Sequence, residues 1–328
     1  MNEDETGKVK AALSHIYSNN SAAVQLLSHH KVCSLWAGFG SIYDISTTTN
    51  EHFIVKSVAL PQQCTSIGDL RKKKSYECEA NFYDNGVAER LLEIGCAVPR
   101  PLHVNRTGTI TICMTKLTGT ASSNLSGEEA AACMKWFANL HSEYWGSKRA
   151  DAAVAQGCQV QGTYWYLDTR PDEFDAMPNH GWEGQLKKCA KKIDGYLRTE
   201  ECFPTILHGD GKGANMLFAT DSTTGVVIPQ LYDFQYCGKG SCMKDLAYFL
   251  TCAVTQDKEE VLMSTYHHEL KTYLRAKWNE EAPTLHRLQE VLEVCIADLG
   301  RFMSGWGWWG NDIKQRIGVV LEQDMFRQ

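Results

Sequence analysis

Two short stretches determine how this chain is expected to fold: Leu207-His208-Gly209-Asp210-Gly211-Lys212-Gly213-Ala214-Asn215 and Leu231-Tyr232-Asp233-Phe234-Gln235. Asn215 lies five positions after Asp210, and Asp233 ends the next apolar run, 23 positions after Asp210. Phosphoryl transfer needs a carboxylate to orient a hydroxyl nucleophile and oxygen ligands to hold Mg²⁺ against the phosphates of ATP. This spacing of two aspartates and an asparagine therefore predicts a phosphoryl-transfer site.

The segment between the two stretches predicts a hairpin. Residues 221–225 read as a turn between two apolar runs, so the paired strands would place Asn215 beside Asp233. We predict that these two residues are metal ligands and that Asp210 is catalytic. Lys212, between Asp210 and Asn215, is the second predicted catalytic residue, because its charge could stabilise the transferring phosphate. The alternative is that Lys212 is simply exposed to solvent.

The pattern His-Gly-Asp-x-x-x-x-Asn followed by Asp-Phe-Gln resembles the signature of the aminoglycoside phosphotransferase and choline kinase superfamily, and more closely its choline-kinase-like, ecdysteroid-kinase-like branch. The resemblance runs from about residue 32 to about residue 250, which is most of the chain. Supporting segments occur in the family's order at residues 75–83, 98–102, 140–146 and 244–250.

The resemblance implies an α+β, bilobal protein-kinase-like fold that uses ATP and Mg²⁺. A small β-rich N-lobe is expected at residues 1–116 and a larger, mainly helical C-lobe at residues 117–328. The family's nucleotide-binding, metal and catalytic residues would then be divided between these two segments.

Lys56 is a charge inside an otherwise apolar strand, which is unfavourable unless another group pairs with it. In kinases such a lysine contacts the α and β phosphates and is held by a helix glutamate. The resemblance assigns that glutamate to Glu79. Glu77 is two positions away, about 200° around a helix, so only one of the two can face the site. The alternative for Lys56 is a solvent-facing lysine on an edge strand.

Two further segments are predicted to bind the nucleotide. Gly38, Gly40 and Ser41 lie between the first two predicted strands, where backbone N–H groups could cover phosphates. The alternative is an ordinary hairpin turn, since Tyr43 stands where protein kinases have a third glycine. The hinge after the last N-lobe strand should present backbone groups to adenine; it comprises Met114, Thr115, Lys116 and Leu117.

Hydrophobic periodicity and turn residues predict the other elements. Ser126 and Glu129 form a capping-box pattern ahead of a helix. The remaining expectations are a helical leader at 1–31, strands within 32–45 and at 53–58 and 109–114, a helix at 70–94 interrupted at Asn85-Gly86, an extended connector at 98–101, and helices after residue 245.

Three polar residues are predicted to be structural. His208 should bond to the backbone of the catalytic loop, and His141 should be a satisfied core histidine, because it lies one turn from Phe137 and Trp145. Asp245 resembles the family aspartate that braces the catalytic loop.

The acceptor is predicted to be a small hydroxylated molecule: an amino alcohol, an aminoglycoside-like compound, a sugar or a steroid. Gly209 and Gln235 replace the arginine and glycine of protein kinases, and only 12 residues separate Asp233 from Asp245, which leaves little room for a peptide platform. The alternative function is a catalytically silent, nucleotide-binding pseudokinase scaffold.

Aromatic residues near the C-terminus are the candidate acceptor wall: Trp306, Trp308 and Trp309. Aromatic faces suit a quaternary amine or a flat apolar ring. A second aromatic cluster is Tyr164, Trp165 and Tyr166, and the carboxylates between the two clusters, Asp168 among them, favour a cationic acceptor. The alternative is that these tryptophans are helix-packing residues.

The bulk composition fits a cytoplasmic protein. The mild net charge of −6 argues against a nucleic-acid-binding surface, and the short basic run at residues 71–74 is interpreted as the solvated start of a helix. Thirteen cysteines form no C-x-x-C pair and are expected to be reduced. No apolar run is long enough to span a bilayer, and the acidic N-terminus argues against a secretory signal. We expect no nucleic-acid, membrane or protein partner.

Overall fold

The computed structural model describes residues 3–17, 24–35, 38–60, 64 and 66–326 of the 328 residues. The chain divides into two compact units, Met1–Thr118 and Gly119–Gln328.

The first unit is built on a five-stranded antiparallel sheet with the order β1-β2-β3-β5-β4. Its strands are β1 (Leu26–Ser34), β2 (Gly40–Thr47), β3 (His52–Val58), β4 (Pro101–Asn105) and β5 (Ile110–Thr115). Its helices are α1 (Glu3–Ile16), α2 (Ile67–Asp84) and α3 (Val87–Glu93).

One apolar cluster of this unit lies between the sheet and α1. Side chains of β2 alternate between buried and half-buried positions, as expected of a strand with one covered face. Val9 and Leu13 of α1 pack in one apolar cluster with Tyr43, Ile45 and Phe53. A continuous apolar face of the sheet is therefore closed by the first helix.

The predicted interruption between α2 and α3 is confirmed. Gly86 adopts a left-handed conformation (φ 90°), which suits glycine and ends the helical path. The start of α2 is fixed by a capping box in which Ser66 and Asp69 satisfy each other's backbone N–H groups.

The predicted helical leader is only partly right. Helix α1 ends at Ile16, and residues 26–31 belong to strand β1, so the prediction was wrong there; residues 18–23 lie outside the described part. Strand β1 is at the edge of the sheet and is exposed along almost its whole length. Because neither face is fully covered, its sequence lacks the alternation that reveals a strand.

The connector predicted at 98–101 leads directly into β4, which was not predicted. Pro101 begins this strand, which pairs on one side only, with β5. Proline is tolerated at the start of an edge strand because no ladder donor is needed there.

The second unit is mainly helical, with two small two-stranded sheets, β6–β9 and β7–β8. The capping box predicted at Ser126 and Glu129 is present and starts α4. The helices are α4 (Gly127–Glu143), α5 (Ser147–Ala155), α6 (Pro171–Ala176), α7 (Gly181–Leu197), α8 (Cys242–Cys252), α9 (Glu259–Trp278), α10 (Leu285–Trp306) and α11 (Lys314–Leu321). The strands are β6 (Pro204–Leu207), β7 (Met216–Thr220), β8 (Val227–Leu231) and β9 (Gly238–Ser241).

Helices α8 and α10 form the centre of this unit. All residues of α8 from Cys242 to Thr251 are buried, and so is most of the second half of α10. A helix buried on all sides is a rigid support, and α8 carries the side chain that holds the catalytic loop. Within the described residues, no helix has the length and apolarity needed to cross a membrane.

Candidate active site

The predicted catalytic loop leaves β6 at Leu207 and is held by Asp245 at the start of α8. The two carboxylate oxygens of Asp245 accept hydrogen bonds from the backbone N–H groups of His208 (2.8 Å) and Gly209 (2.9 Å). Gly209 has a φ of 82°, and a Cβ there would lie 2.1 Å from the carbonyl oxygen of Tyr236. The loop therefore requires glycine at this position, and Asp245 braces it as the resemblance implied.

Both histidines are structural, as predicted. His208 is fully buried, and one ring nitrogen contacts the carbonyl oxygen of Tyr232 at 3.1 Å. Burial lowers the pKa of His208 below its ordinary value, which favours the neutral ring. His141 is also fully buried, with ring nitrogens 2.8 Å from the hydroxyl of Tyr266 and 3.3 Å from Asp245.

Asp210 is buried, and only one of its two carboxylate oxygens accepts hydrogen bonds. Its Oδ2 accepts hydrogen bonds from Lys212 Nζ and Asn215 Nδ2, both at 2.9 Å. Its Oδ1 is buried and has no hydrogen-bond partner among the residues that the structure describes. Burial raises the pKa of Asp210 to about 6, opposed by the charge of Lys212 and reinforced by that of Asp233. A buried acceptor atom without a donor suits a group that receives the hydroxyl of a substrate.

The predicted hairpin brings the two proposed metal ligands to the same end of β7 and β8. Met216 pairs with Leu231, and the backbone N–H of Tyr232 donates to the carbonyl oxygen of Asn215 at 3.1 Å. Asp233 adopts a left-handed conformation (φ 69°), which aspartate tolerates better than most residues. The hairpin thus places Asn215 opposite Tyr232, which directly precedes Asp233 in the chain.

These residues fit Mg²⁺ better than a transition metal. They supply one carboxylate and one amide oxygen, and Mg²⁺ is typically held by one or two carboxylates together with substrate phosphates and water. Among the described residues no group of three or more His, Cys, Asp or Glu side chains could hold a metal by itself. The donor set is therefore suited to a metal that arrives with its nucleotide.

In the first unit, Lys56 forms an ion pair with Glu79. The Nζ of Lys56 lies 2.5 Å from the Oε2 of Glu79, and the two side chains are only 5% and 2% exposed. Glu77 is half-exposed and lies 4.0 Å from Lys73 instead. The choice left open by the sequence therefore falls on Glu79.

The glycine segment forms the connection between β1 and β2, of which residues 36 and 37 lie outside the described part. A Cβ at Gly40 would lie 1.9 Å from the carbonyl oxygen of Ser57, so only glycine fits beside β3. Gly38 is also left-handed (φ 73°), and Ser41 is buried in β2.

The predicted hinge begins inside the sheet. Met114 and Thr115 belong to β5, and the N–H of Thr115 donates to the carbonyl oxygen of Arg100. Lys116 and Leu117 follow the strand, with the Lys116 side chain bonded to Asp44 at 2.6 Å.

A cavity of about 600 Å³ in the second unit contains one of the three predicted tryptophans. Trp309 lines it together with Lys212. Trp306 is 62% exposed and stacks on Phe302, while Trp308 packs near Trp182; neither lines the cavity. Asp168 is on the surface, bonded to Arg198 at 3.0 Å.

Sequence reasoning placed Tyr164 in an aromatic cluster but missed its partner, Tyr248. Tyr248 of α8 lines this cavity, and the hydroxyl of Tyr164 donates to the hydroxyl of Tyr248 at 3.0 Å. The separation of 84 positions along the chain hid the pairing. The one available signal was the position of Tyr248, three residues after the bracing Asp245 on the same helix.

The ecdysteroid kinase-like family matches residues 164–277, about a third of the chain. That span includes the catalytic loop, the hairpin and the bracing aspartate. The predicted resemblance to this superfamily is confirmed. The comparison with curated proteins gave no match.

Solved structures of small-molecule kinases share the fold. A microcompartment-associated aminopropanol kinase is 14% identical with a TM-score of 0.54, covering 96% of this chain and 93% of its own. An amicoumacin kinase in complex with AMP-PNP and Ca²⁺ is 14% identical with a TM-score of 0.52 and the same two coverages. An ethanolamine kinase from Plasmodium vivax is 9% identical with a TM-score of 0.50, covering 93% and 88%. These similarities confirm the predicted α+β, kinase-like fold.

Proposed function

We propose that this protein is an ATP-dependent phosphotransferase that transfers the γ-phosphate of Mg-ATP to a hydroxyl group of a small molecule. The observation that carries the proposal is the state of Asp210: a buried carboxylate with a raised pKa, one oxygen held by Lys212 and Asn215, and the other without a donor. Kinase-like neighbours and the family match support the same class of reaction.

In the proposed reaction, the acceptor hydroxyl donates a hydrogen bond to Asp210 Oδ1. The oxygen of that hydroxyl forms a bond to the γ-phosphorus, while the bond from this phosphorus to the bridging oxygen of ADP breaks. Asp210 receives the proton, and ADP leaves with the bonding electron pair. Lys212, 2.9 Å from Asp210, supplies a positive charge beside the transferring group.

The nucleotide-binding residues are proposed to be Lys56, which Glu79 orients, with the backbone at Gly38, Gly40 and Ser41 and the hinge at 114–117. Asn215 and Asp233 would hold Mg²⁺, which neutralises charge on the β and γ phosphates when bound.

The test is ADP release from a panel of hydroxylated metabolites, with Asp210→Asn as the variant and Asp151→Asn, on an exposed helix, as the matched control. We expect turnover with at least one acceptor and a loss of roughly 10²- to 10⁴-fold in Asp210→Asn. ATP affinity should be nearly unchanged, because Asp210 acts on the acceptor. Turnover that survives in Asp210→Asn contradicts the proposal, and nucleotide binding without turnover of any acceptor would instead identify a pseudokinase scaffold.

A further inference from the structure

The cavity lined by Trp309 and Lys212 has a distinct chemical character. Ala121, Leu125 and Ala253 supply apolar surface, and Lys212 is the one charged side chain among the described residues that line it. None of the described residues that line it is a carboxylate, and Lys212 is ion-paired with Asp210. A bound cation would therefore meet an apolar wall and no carboxylate among the lining residues with which to pair.

Tyr248 adds a directional polar group to this cavity. Its side chain is almost fully buried, at 4% exposure, yet it lines the cavity. Its oxygen accepts the hydrogen bond from Tyr164, and its own O–H proton has no acceptor among the described residues. A buried donor without an acceptor is costly unless a ligand uses it.

Tyr164 is itself held in place on its backbone and its ring. Its backbone carbonyl accepts from Arg170 at 2.6 Å, and its ring contacts Phe302 edge-on at 5.5 Å. Tyr248 lines the same cavity as Lys212, whose Nζ lies 2.9 Å from Asp210, and burial together with the charge of Asp210 raises the pKa of Tyr248. The tyrosine pair thus lies where an acceptor would meet the reacting groups.

We propose that Tyr248, oriented by Tyr164, donates a hydrogen bond to the phosphate acceptor, and that this cavity selects acceptors without a positive charge. The inference rests on the proposed function and deepens it. It departs from the cationic acceptor suggested by Asp168, whose carboxylate is bonded to Arg198 on the surface. A tryptophan face can bind a cation, but the described residues that line this cavity with Trp309 include no carboxylate, so a cation there would lack a counter-ion.

Matched pairs of alcohols test the charge preference. Each pair consists of an alcohol bearing a trimethylammonium group and the neutral alcohol in which carbon replaces the nitrogen; choline and its carbon analogue form one pair, and cyclic alcohols form others. We expect the neutral member to have at least roughly tenfold higher kcat/KM, or lower Kd by calorimetry if no turnover occurs. A preference for the cationic members overturns the inference and leaves the proposed function standing.

Tyr248→Phe tests the hydrogen bond. It should raise KM for the preferred acceptor roughly three- to tenfold, the range of one lost hydrogen bond, with KM for ATP unchanged and only a small fall in melting temperature from the lost Tyr164 bond. Tyr164→Phe should show a smaller rise. Tyr196→Phe, which removes a hydroxyl that accepts a hydrogen bond from Arg287, is the matched control and should change neither KM.

The two proposals fail in different ways. If no acceptor is phosphorylated but neutral alcohols bind and lose affinity in Tyr248→Phe, the cavity assignment stands and the kinase function falls. An unchanged acceptor KM in a folded Tyr248→Phe overturns the role of Tyr248, and so does the absence of any alcohol binding by calorimetry.

Discussion

At the scale of single residues, the site holds Asp210 in an unfavourable environment. The folded protein raises the pKa of this carboxyl to about 6 by burial, while the bonds from Lys212 and Asn215 only partly compensate. Because the folded pKa exceeds the ordinary value of 3.8, the ionised carboxylate destabilises the folded state above that value. In the proposed function, this loss of stability is the cost of keeping a buried proton acceptor beside the substrate hydroxyl.

Because burial raises the pKa of Asp210, we expect Asp210→Asn to stabilise the folded protein at neutral pH. Removing the charge should raise the free energy of unfolding by up to about 3 kcal/mol at pH 7.5, by less at pH 5, and by almost nothing below pH 4. Denaturant unfolding of both proteins across this pH range measures the difference. The control Asp221→Asn should give no such gain, since turn N–H groups hold the pKa of exposed Asp221 below its ordinary value. A gain in Asp210→Asn that is independent of pH would contradict the argument.

The second residue-scale prediction separates the metal ligands from the base. Asp233→Ala should lose the part of ATP affinity that depends on Mg²⁺, since its carboxylate would bind the metal, whereas metal-free ATP should bind as before. Asn215→Ala should show a milder loss, because a neutral amide oxygen is the weaker ligand. Calorimetry of ATP with and without Mg²⁺ measures both, with Asp257→Ala as an exposed control. Equal Mg-ATP affinity in Asp233→Ala and the wild type would refute the placement of the metal.

At the scale of elements, the sequence predicted those parts whose signal is local. The capping box at Ser126 and the break at Gly86 depend on residues within one turn, and both are present. Strand β1 was misread because its exposure removes the alternation. Strand β9, a short stretch of glycine, lysine and serine, has no strand pattern and exists because β6 pairs with it.

The same division holds for the candidate site. Asp210, Asn215 and Asp233 are close in sequence and are joined by one hairpin, so their proximity followed from the turn. Tyr164 and Tyr248, by contrast, meet only because separate elements pack together. Likewise, the cavity separates Trp309 from its neighbours Trp306 and Trp308, which an aromatic run alone could not reveal.

A buried ion cluster between α8 and α10 leads to the element-scale prediction. Asp298 is fully buried and binds Lys244 at 3.0 Å and Arg301 at 2.8 Å. Burial alone would raise the pKa of Asp298, but Lys244 and Arg301 together hold this pKa below its ordinary value. Asp298→Ala would leave two buried cations without their carboxylate and should lower the free energy of unfolding by about 3–5 kcal/mol.

Thermal and denaturant unfolding measure this loss. Glu290→Ala on the same helix is the matched control: its carboxylate binds Arg287 at the surface, and the loss should be below about 1 kcal/mol. Similar stabilities for the two variants would mean that the cluster does not support α8, and with it the brace on the catalytic loop.

At the scale of the whole molecule, cysteine is used as a small apolar residue in both units. All thirteen cysteines are free thiols; ten are buried, two are half-buried and only Cys33 is exposed. Burial raises the pKa of Cys113 in the first unit and of Cys242 in the second, each to about 12. Such thiols are almost wholly protonated at neutral pH, and the thiolate is the reactive form.

This distribution predicts how the folded protein reacts with a thiol reagent. Native protein should expose at most three thiols to rapid labelling by a disulfide reagent, Cys33 first, whereas unfolded protein should expose all thirteen. Because no disulfide contributes to stability, dithiothreitol should leave the melting temperature unchanged. A Cys33→Ser variant is the control and should remove the fastest labelling phase without altering stability. Rapid labelling of many thiols in native protein would show that the apolar cores open readily. A melting temperature lowered by dithiothreitol would reveal a disulfide and contradict the free thiols of the structure.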